Sequence, residues 1–258
     1  MRKANAFLLV LVGALLATAT RDAAASGPEL GTVQPETPAG ILSGHAYYDL
    51  TTGALVWEAN PAPLAAVDIY SNTSSPALFA LSSTDLGAVW GDELFSTDTG
   101  VLDQNDFTVF NANVSAGALQ TGSFHIDFFD DDTFSFLGGY STTVIDFGPG
   151  GIPPGFYTII TVTGLAALGI DLTSANVIIE QRVATHTGPA TRLGFVGLDP
   201  VTVGTGTATM FIAASTVGPA GFYAVGGIPK ANPGYRVAVL QPVPAHSRTW
   251  GGVKGIYR

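Results

Sequence analysis

Short apolar runs separated by turn-forming residues are the feature that most constrains the fold of this chain. From about Leu64 to Leu240, stretches rich in Val, Ile, Phe, Tyr and Ala alternate with Gly, Pro, Asn, Asp and Thr. This pattern is typical of strands joined by tight turns, and its punctuation excludes a helical bundle. The main predicted strands are 66–70, 77–81, 88–95, 107–111, 117–129, 134–147, 156–162, 176–183, 192–196, 209–213, 221–225 and 235–240. The sequence therefore predicts an all-β, jelly-roll-like antiparallel β-sandwich whose two sheets bury their inner faces against each other.

The stretch from Thr121 to Phe147 shows the pattern most clearly. Phe124, Ile126 and Phe128 fall on one face of a period-2 strand, and the residues between them are polar. Asp130 to Thr133 then provide turn residues before a second aromatic run. We expect a β-hairpin with an acidic tip.

Composition limits how such a fold can be stabilised. The 258-residue chain contains no cysteine, which excludes disulfides, thiolate metal sites and a cysteine nucleophile. Charged residues make up 12%, against roughly 25% in typical soluble domains, and there are 32 Gly and 16 Pro. Stability is therefore expected to come from apolar packing in a turn-rich structure.

The N-terminus has the pattern of a secretory signal peptide at residues 1–25. Arg2 and Lys3 precede a short apolar run from Phe7 to Leu16, which is too short to span a bilayer well. Small residues suit cleavage after Ala19 or after Ala25, and the longer polar region before the second site favours Ala25. We expect an exported protein whose mature chain has no membrane span.

The rest of the chain divides into three further parts. Residues 26–63 are predicted to be a Pro-containing leader or linker that packs little, with a small accessory hairpin between Ile41 and Glu58 whose turn contains Gly53. Asn60–Pro63 forms the expected boundary before the β-sandwich domain at 64–240. Residues 241–258 are a basic, aromatic C-terminal tail.

Charge is distributed unevenly along the chain. Residues 26–240 contain 19 acidic and four basic residues, a net −15, whereas residues 241–258 have Arg248, Lys254 and Arg258 and no acid. An acidic body repels phosphate backbones, so nucleic acid is excluded as an expected partner. The tail is suited to recognition during export or surface attachment, or to docking on the acidic surface of another copy; a disordered terminus is the alternative.

Several short motifs together resemble a known group of proteins. They are Ile69–Asn72, Phe79–Ser83, Val89–Glu93, Pro154–Tyr157, Thr191–Gly194 and Asn232–Tyr235, with the aromatic hairpin. Over about Leu64 to Leu240 the chain resembles uncharacterised exported bacterial β-sandwich proteins, which often carry a PEP-CTERM-type sorting tail. The resemblance implies a secreted or cell-surface β-sandwich of a bacterium and brings no catalytic residues. The chain departs from the group at its end, because the sorting tail itself is absent.

The acidic tip of the hairpin is the candidate metal site. Asp127, Asp130, Asp131 and Asp132 offer carboxylate oxygens to Ca²⁺. Their spacing does not match an EF-hand loop, so a solvated turn that keeps an aromatic ribbon soluble is the competing interpretation. Calcium is the one cofactor that the sequence suggests.

Motifs for catalysis are weak, and no catalytic residue is assigned. Adjacent Asp92 and Glu93 would point to opposite faces of a strand, so they do not form the carboxylate pair of a glycosidase. The four histidines have no metal-binding spacing, and Gly204–Ala208 lacks the Lys and helix of a phosphate loop. There is no Gly-x-Ser-x-Gly nucleophile turn.

These observations leave three functions open. The first is a non-enzymatic structural or surface-associated protein that self-associates through β-edges or its C-terminal tail, because few charges are available to block edge pairing. The second is a secreted carbohydrate-binding module, calcium-stabilised, that takes a surface polysaccharide. Its sugar-stacking faces would come from Trp57, Trp90, Tyr140, Tyr157 and Tyr223. The third is a secreted hydrolase whose site the sequence does not locate.

Overall fold

Two β-sheets packed face to face form the described part of the chain. The structure is a computed structural model and describes residues 29–36, 40–57, 66–113, 117–228, 230 and 232–240. Within those residues, its strands are β1 Thr32–Val33, β2 Ile41–Asp49, β3 Ala54–Trp57, β4 Ala66–Ser71, β5 Ala77–Ser83, β6 Val89–Phe95, β7 Gly100–Asn111, β8 Thr121–Asp130, β9 Phe136–Ser141, β10 Ile145–Asp146, β11 Phe156–Thr163, β12 Asp171–Leu172, β13 Asn176–Thr187, β14 Leu193–Leu198, β15 Thr205–Gly206, β16 Thr209–Ala213, β17 Gly221–Val225 and β18 Tyr235–Leu240. A short 3₁₀ turn occupies Leu165–Leu168.

Within the described part of the chain, each sheet contains nine strands. The first has the order β1-β17-β16-β6-β13-β8-β10, with β15 beside β6 and β9 beside β8. The second has the order β3-β2-β11-β7-β14-β5, with β12 and β18 beside β7 and β4 beside β18. The predicted all-β sandwich is confirmed. Two pairings are parallel, β1 with β17 and β2 with β11, whereas the sequence predicted antiparallel sheets.

The acidic hairpin is formed by β8 and β9, which pair antiparallel. Phe124, Ile126 and Phe128 are buried, as their period-2 spacing predicts, because they face the second sheet. Phe124 meets Phe107 of β7 with the ring centroids 5.3 Å apart. Contacts of this kind between the inner faces form the main core.

A second core cluster fills the other end of the sandwich. Phe79 and Phe195 of the second sheet pack there against Trp90, Ile212 and neighbouring residues of the first. Trp90 and Phe195 have ring centroids 5.4 Å apart. The two clusters together replace the disulfides that a cysteine-free chain lacks.

The N-terminal hairpin belongs to the second sheet and is not a separate ribbon. Gly53 has a φ of 71° in its turn, the left-handed conformation that glycine adopts without steric cost. β2 pairs with β11 from Ile41 to Asp49, so the sheet includes strands that precede the expected domain start at residue 64.

The leader also packs more than its sequence predicted. The backbone N–H of Leu30 donates to the Phe222 carbonyl at 2.9 Å, and β1 pairs with β17 in the first sheet. The N–H of Glu36 then donates to the Ala80 carbonyl of the second sheet at 2.8 Å. The expectation of a loosely packed leader was therefore wrong for residues 29–36, because its backbone completes hydrogen bonds at the edges of both sheets.

Several predictions fall on parts of the chain outside the described residues. These are the signal peptide at 1–25, the boundary at Asn60–Pro63 and the C-terminal tail at 241–258. In the described ranges, no helix has the length and apolar character needed to cross a membrane.

Candidate functional site

The predicted calcium ligands lie at the turn end of β8, where protein donors engage two of them. Asp130 Oδ1 accepts hydrogen bonds from the Thr133 hydroxyl at 2.6 Å and the Thr133 N–H at 2.7 Å. These bonds lower the pKa of Asp130. Asp127 Oδ1 lies 3.0 Å from His125 Nε2. Asp130 thus closes the turn, and Asp127 pairs along its own strand.

The other two carboxylates, Asp131 and Asp132, follow in the turn itself. Burial, followed by repulsion from Asp132 and Asp130, raises the pKa of Asp131. Among the residues that the structure describes, no three His, Asp or Glu side chains are grouped so as to hold a metal ion. Calcium binding at this turn stays a prediction.

Asp92 and Glu93 on β6 point to opposite faces, as strand geometry predicts. Asp92 is fully buried between the sheets, whereas Glu93 is half-buried. Burial, with a smaller contribution from Glu93, raises the pKa of Asp92 well above its usual range. Its Oδ1 accepts a long hydrogen bond of 3.4 Å from the Thr207 hydroxyl, and its Oδ2 has no partner among the described residues. Burial of a carboxyl group with so few hydrogen-bond partners favours its neutral form.

Two tyrosines belong to the same polar interior. The hydroxyls of Tyr70 and Tyr235 are buried without partners among the described residues, and the Asp92 charge raises the pKa of both, after burial itself. The glycine-rich segment Gly204–Ala208 packs here, and Gly206 lies so close to Asn232 that a Cβ would overlap its amide oxygen. The glycine pattern therefore serves close packing.

A second polar cluster, centred on Arg236 of β18, was not predicted from the sequence. Arg236 Nη2 lies 2.7 Å from Asp68 Oδ1 of β4, and its Nη1 donates to Gln104 Oε1 of β7 at 3.0 Å. Its Nη1 is also 3.6 Å from Asp106 Oδ1, whose residue is buried. Burial raises the pKa of Asp106 to about 6 although Arg236 opposes the shift. The guanidinium thus joins three adjacent strands.

His45 borders this cluster. Its Nε2 is 2.7 Å from the Thr161 hydroxyl, its ring stacks on Tyr47 at 4.6 Å, and burial followed by the Arg236 charge lowers its pKa. A histidine, a buried carboxylate and an arginine would suit acid–base chemistry, but they are already bonded to the sheet around them. We therefore interpret the Arg236 cluster as a structural link.

A concave feature lies where the leader crosses from one sheet to the other. We call it the leader cleft; it has a volume of about 280 Å³. Its walls include Val33, Glu36, Ser82, Trp90, Arg192 and Thr216. Arg192 Nη2 donates to Glu36 Oε1 at 2.9 Å, and the Ser82 hydroxyl donates to the same oxygen. The leader therefore forms one wall and is held there by an ion pair.

The five aromatic residues considered for sugar stacking do not form an exposed platform. Trp90, Tyr140, Tyr157 and Tyr223 are buried in the core, and only Trp57 is exposed, at 37%. Trp90 nevertheless reaches the wall of the leader cleft. Any aromatic contribution to binding would therefore come from a cleft and not from a flat surface.

Several exposed apolar side chains lie near one edge of the second sheet. We call it the apolar edge and define it by Ile41, Leu42, Val56 and Trp57, which are 60%, 48%, 49% and 37% exposed. Val56 and Trp57 belong to β3, whose only strand neighbour in the described chain is β2. All four residues of β3, Ala54–Trp57, are uncharged. Such an edge can pair with another strand.

Other edges are better protected. Glu36 bonds to Ala80 beside β5, and β4 carries Asp68, which pairs with Arg236. A charged or covered edge resists pairing with another chain. Of the β3, β4 and β5 edges, the apolar edge at β3 is thus the one best suited to pair with a strand of another chain.

Comparison with known proteins gives no match: no family model, no curated protein and no solved structure is similar to this chain. The functional conclusion therefore depends on the geometry described above.

Proposed function

We propose that this protein is an exported, non-enzymatic, surface-associated β-sandwich that assembles with copies of itself through the apolar edge. The observation that carries the proposal is β3, an uncharged edge strand with half-exposed Val56 and Trp57. Antiparallel pairing of β3 with its equivalent in a second copy would use the same surface on both partners, which is the commonest form of homodimer contact. Pairing would satisfy the outward backbone groups of β3 and cover the apolar side chains.

Charge composition supports the same function. The body has a net charge of −15, but β3 itself has no charged residue; the acids that flank it are Asp49, which pairs with Ala54, and Glu58, which follows Trp57 in the sequence. The basic tail at 241–258 would offer a second contact, to the acidic body of a neighbouring copy.

A substitution at the centre of the apolar edge tests assembly. Val56→Lys introduces a charge that must be buried if β3 pairs, and the long side chain can remain solvated in a monomer. Val144→Lys is the matched control, because Val144 is 61% exposed and lies between β9 and β10. We expect sedimentation velocity to show concentration-dependent assembly of the mature wild type and of Val144→Lys, but a monomer for Val56→Lys. A monomeric wild type at every concentration would contradict the proposal.

Export has its own test. Expression of the full chain in a bacterial host should yield an extracellular protein whose mass corresponds to loss of residues 1–25, or of 1–19 if cleavage follows Ala19. Full-length protein retained in the cell would contradict the export part of the proposal and leave assembly unaffected.

A further inference from the structure

The leader cleft has the construction of a binding site for a small polar molecule. It lies between the two sheets and the leader, so three separate parts of the chain form its walls. Its volume of about 280 Å³ is just below the roughly 300 to 1,000 Å³ of pockets that take drug-sized ligands. A ligand of one or two rings would suit this space.

Apolar groups and hydroxyls share the lining. Val33, Leu81 and Val217 supply apolar surface, and Trp90 contributes an aromatic group that is 3% exposed. The Ser83 and Thr216 hydroxyls, which also belong to the lining, are 2.9 Å apart. Polar residues outnumber apolar ones in the lining, which suits a ligand that carries several hydroxyl groups.

The charges in the cleft indicate a neutral ligand. Glu36 and Arg192 compensate each other at 2.9 Å, so the pair presents donors and acceptors side by side without a net charge. Neighbouring hydroxyls of a sugar both donate and accept, and they can bond to a carboxylate and a guanidinium together. The Arg192 side chain is 43% exposed and can reach a ligand at the mouth of the cleft.

A smaller cavity of about 10 Å³ adjoins the leader cleft, and Ser83, Thr84 and Trp90 line both spaces. His186 lines this cavity, and its Nδ1 is buried without a partner among the described residues. The space suits one water molecule that would bond to that nitrogen. A ligand in the leader cleft would thus change the surroundings of Trp90.

We propose that the leader cleft binds a neutral saccharide of one or two sugar rings, with Glu36 and Arg192 bonding to its hydroxyls and Trp90 in its apolar wall. This activity goes beyond self-assembly, because the cleft lies on the β5 side of the second sheet and the apolar edge on the β3 side.

Tryptophan fluorescence provides a direct test. The chain has three tryptophans, so Trp57→Phe with Trp250→Phe leaves Trp90 as the single emitter. This variant, with Val56→Lys added to exclude assembly, is titrated with cellobiose, lactose, mannobiose, xylobiose and chitobiose. We expect a saturable change in Trp90 emission with at least one of these disaccharides. No saturable change with any of them, together with no saturation-transfer NMR signal, would overturn the proposal.

Variants of the ion pair identify the site. Arg192→Ala is expected to weaken the binding at least tenfold, whereas Arg182→Ala, at an exposed position of β13, should leave it unchanged. Glu36→Gln keeps the shape of the wall and should also weaken binding, because an amide does not hold the guanidinium as a carboxylate does. Equal affinities of wild type and both ion-pair variants would overturn the proposal. So would binding of glucuronate in preference to glucose, because the ligand would then be anionic.

Discussion

A buried carboxylate with a poor set of hydrogen bonds, such as Asp92, makes stability depend on pH. The folded-state pKa of Asp92 lies well above its usual value because of burial. At a pH below about 3.9, the pKa of an aspartate in the unfolded state, Asp92 is protonated in both the folded and the unfolded protein. Its ionisation then does not reduce the free energy of unfolding. As the pH rises above that value, the unfolded state releases the proton first and folding becomes less favourable.

The Asp92→Asn substitution is expected to remove this contribution. The free energy of unfolding of the variant should rise relative to wild type as the pH increases from about 4 to 8, whatever the offset between the two proteins at pH 4. Denaturant unfolding at several pH values measures the difference. His45, whose lowered pKa weakens folding as the pH falls, is present in both proteins and cancels in the comparison. A difference that does not vary with pH would contradict the prediction.

Arg236 compensates a carboxylate that the fold has buried. Replacing it by Met leaves Asp106 unpaired, and breaking a buried pair in this way costs roughly 3–5 kcal/mol of stability. The loss should be largest above the Asp106 pKa of about 6 and smaller at pH 5, where Asp106 can be protonated. Urea unfolding measures it. Arg182→Met at the exposed position is expected to change stability by less than about 0.5 kcal/mol.

Among the elements, β8 and β7 show what the sequence predicts and what it does not. The alternation of Phe124, Ile126 and Phe128 predicted both the strand and its buried face, because one face of β8 lies on an apolar core. The first half of β7 gave no such signal, since Asp103, Gln104, Asn105 and Asp106 are all polar and yet buried. Local patterning cannot show a strand whose polar side chains are buried by residues that lie far away in the sequence.

The partners of those β7 residues are far away along the chain. Asn105 accepts from the Tyr140 hydroxyl at 2.6 Å and donates to the Arg236 carbonyl at 2.9 Å, and Asp106 pairs with the Arg236 side chain. The ion pair between Glu36 and Arg192 in the leader cleft likewise joins residues 156 positions apart. Both sites depend on strand order, which one sequence does not specify, so neither was predicted.

Calcium binding at the turn between β8 and β9 can be tested by removing part of the predicted ligand set. Asp131→Asn with Asp132→Asn removes two of the four predicted ligands and leaves the Asp130–Thr133 hydrogen bonds in place. With a dissociation constant in the range of about 10⁻⁴–10⁻³ M that extracellular calcium modules show, about 10 mM CaCl₂ should stabilise the wild type by about 1.4 to 2.7 kcal/mol and the variant by much less. Thermal unfolding with CaCl₂ or with EDTA measures this. If the wild type melts at the same temperature in CaCl₂ and in EDTA, the turn does not bind calcium and is a solvated turn.

At the scale of the whole molecule, the leader contacts both sheets of the sandwich. β1 lies on β17 of the first sheet, Glu36 bonds to Ala80 of the second, and Gly40 lies against the rings of Phe110 and Tyr157 on the outer face. These contacts cover edges that would otherwise be open. They are few compared with the core, so the leader should be able to open while the sandwich stays folded.

Val33→Asp tests this independence. Val33 packs on the second core cluster, and a carboxylate there would have to be desolvated without a partner. We expect hydrogen exchange at the amides of Leu30 and Glu36 to become much faster, while amides of β8 such as that of Phe128 keep their wild-type rates. Thr32→Ser, at the exposed neighbouring position, is the control and should leave all of these rates unchanged. Faster exchange throughout β8 in Val33→Asp would show instead that leader and sandwich unfold as one cooperative unit, because the loss of one edge contact would then have lowered the stability of the whole core.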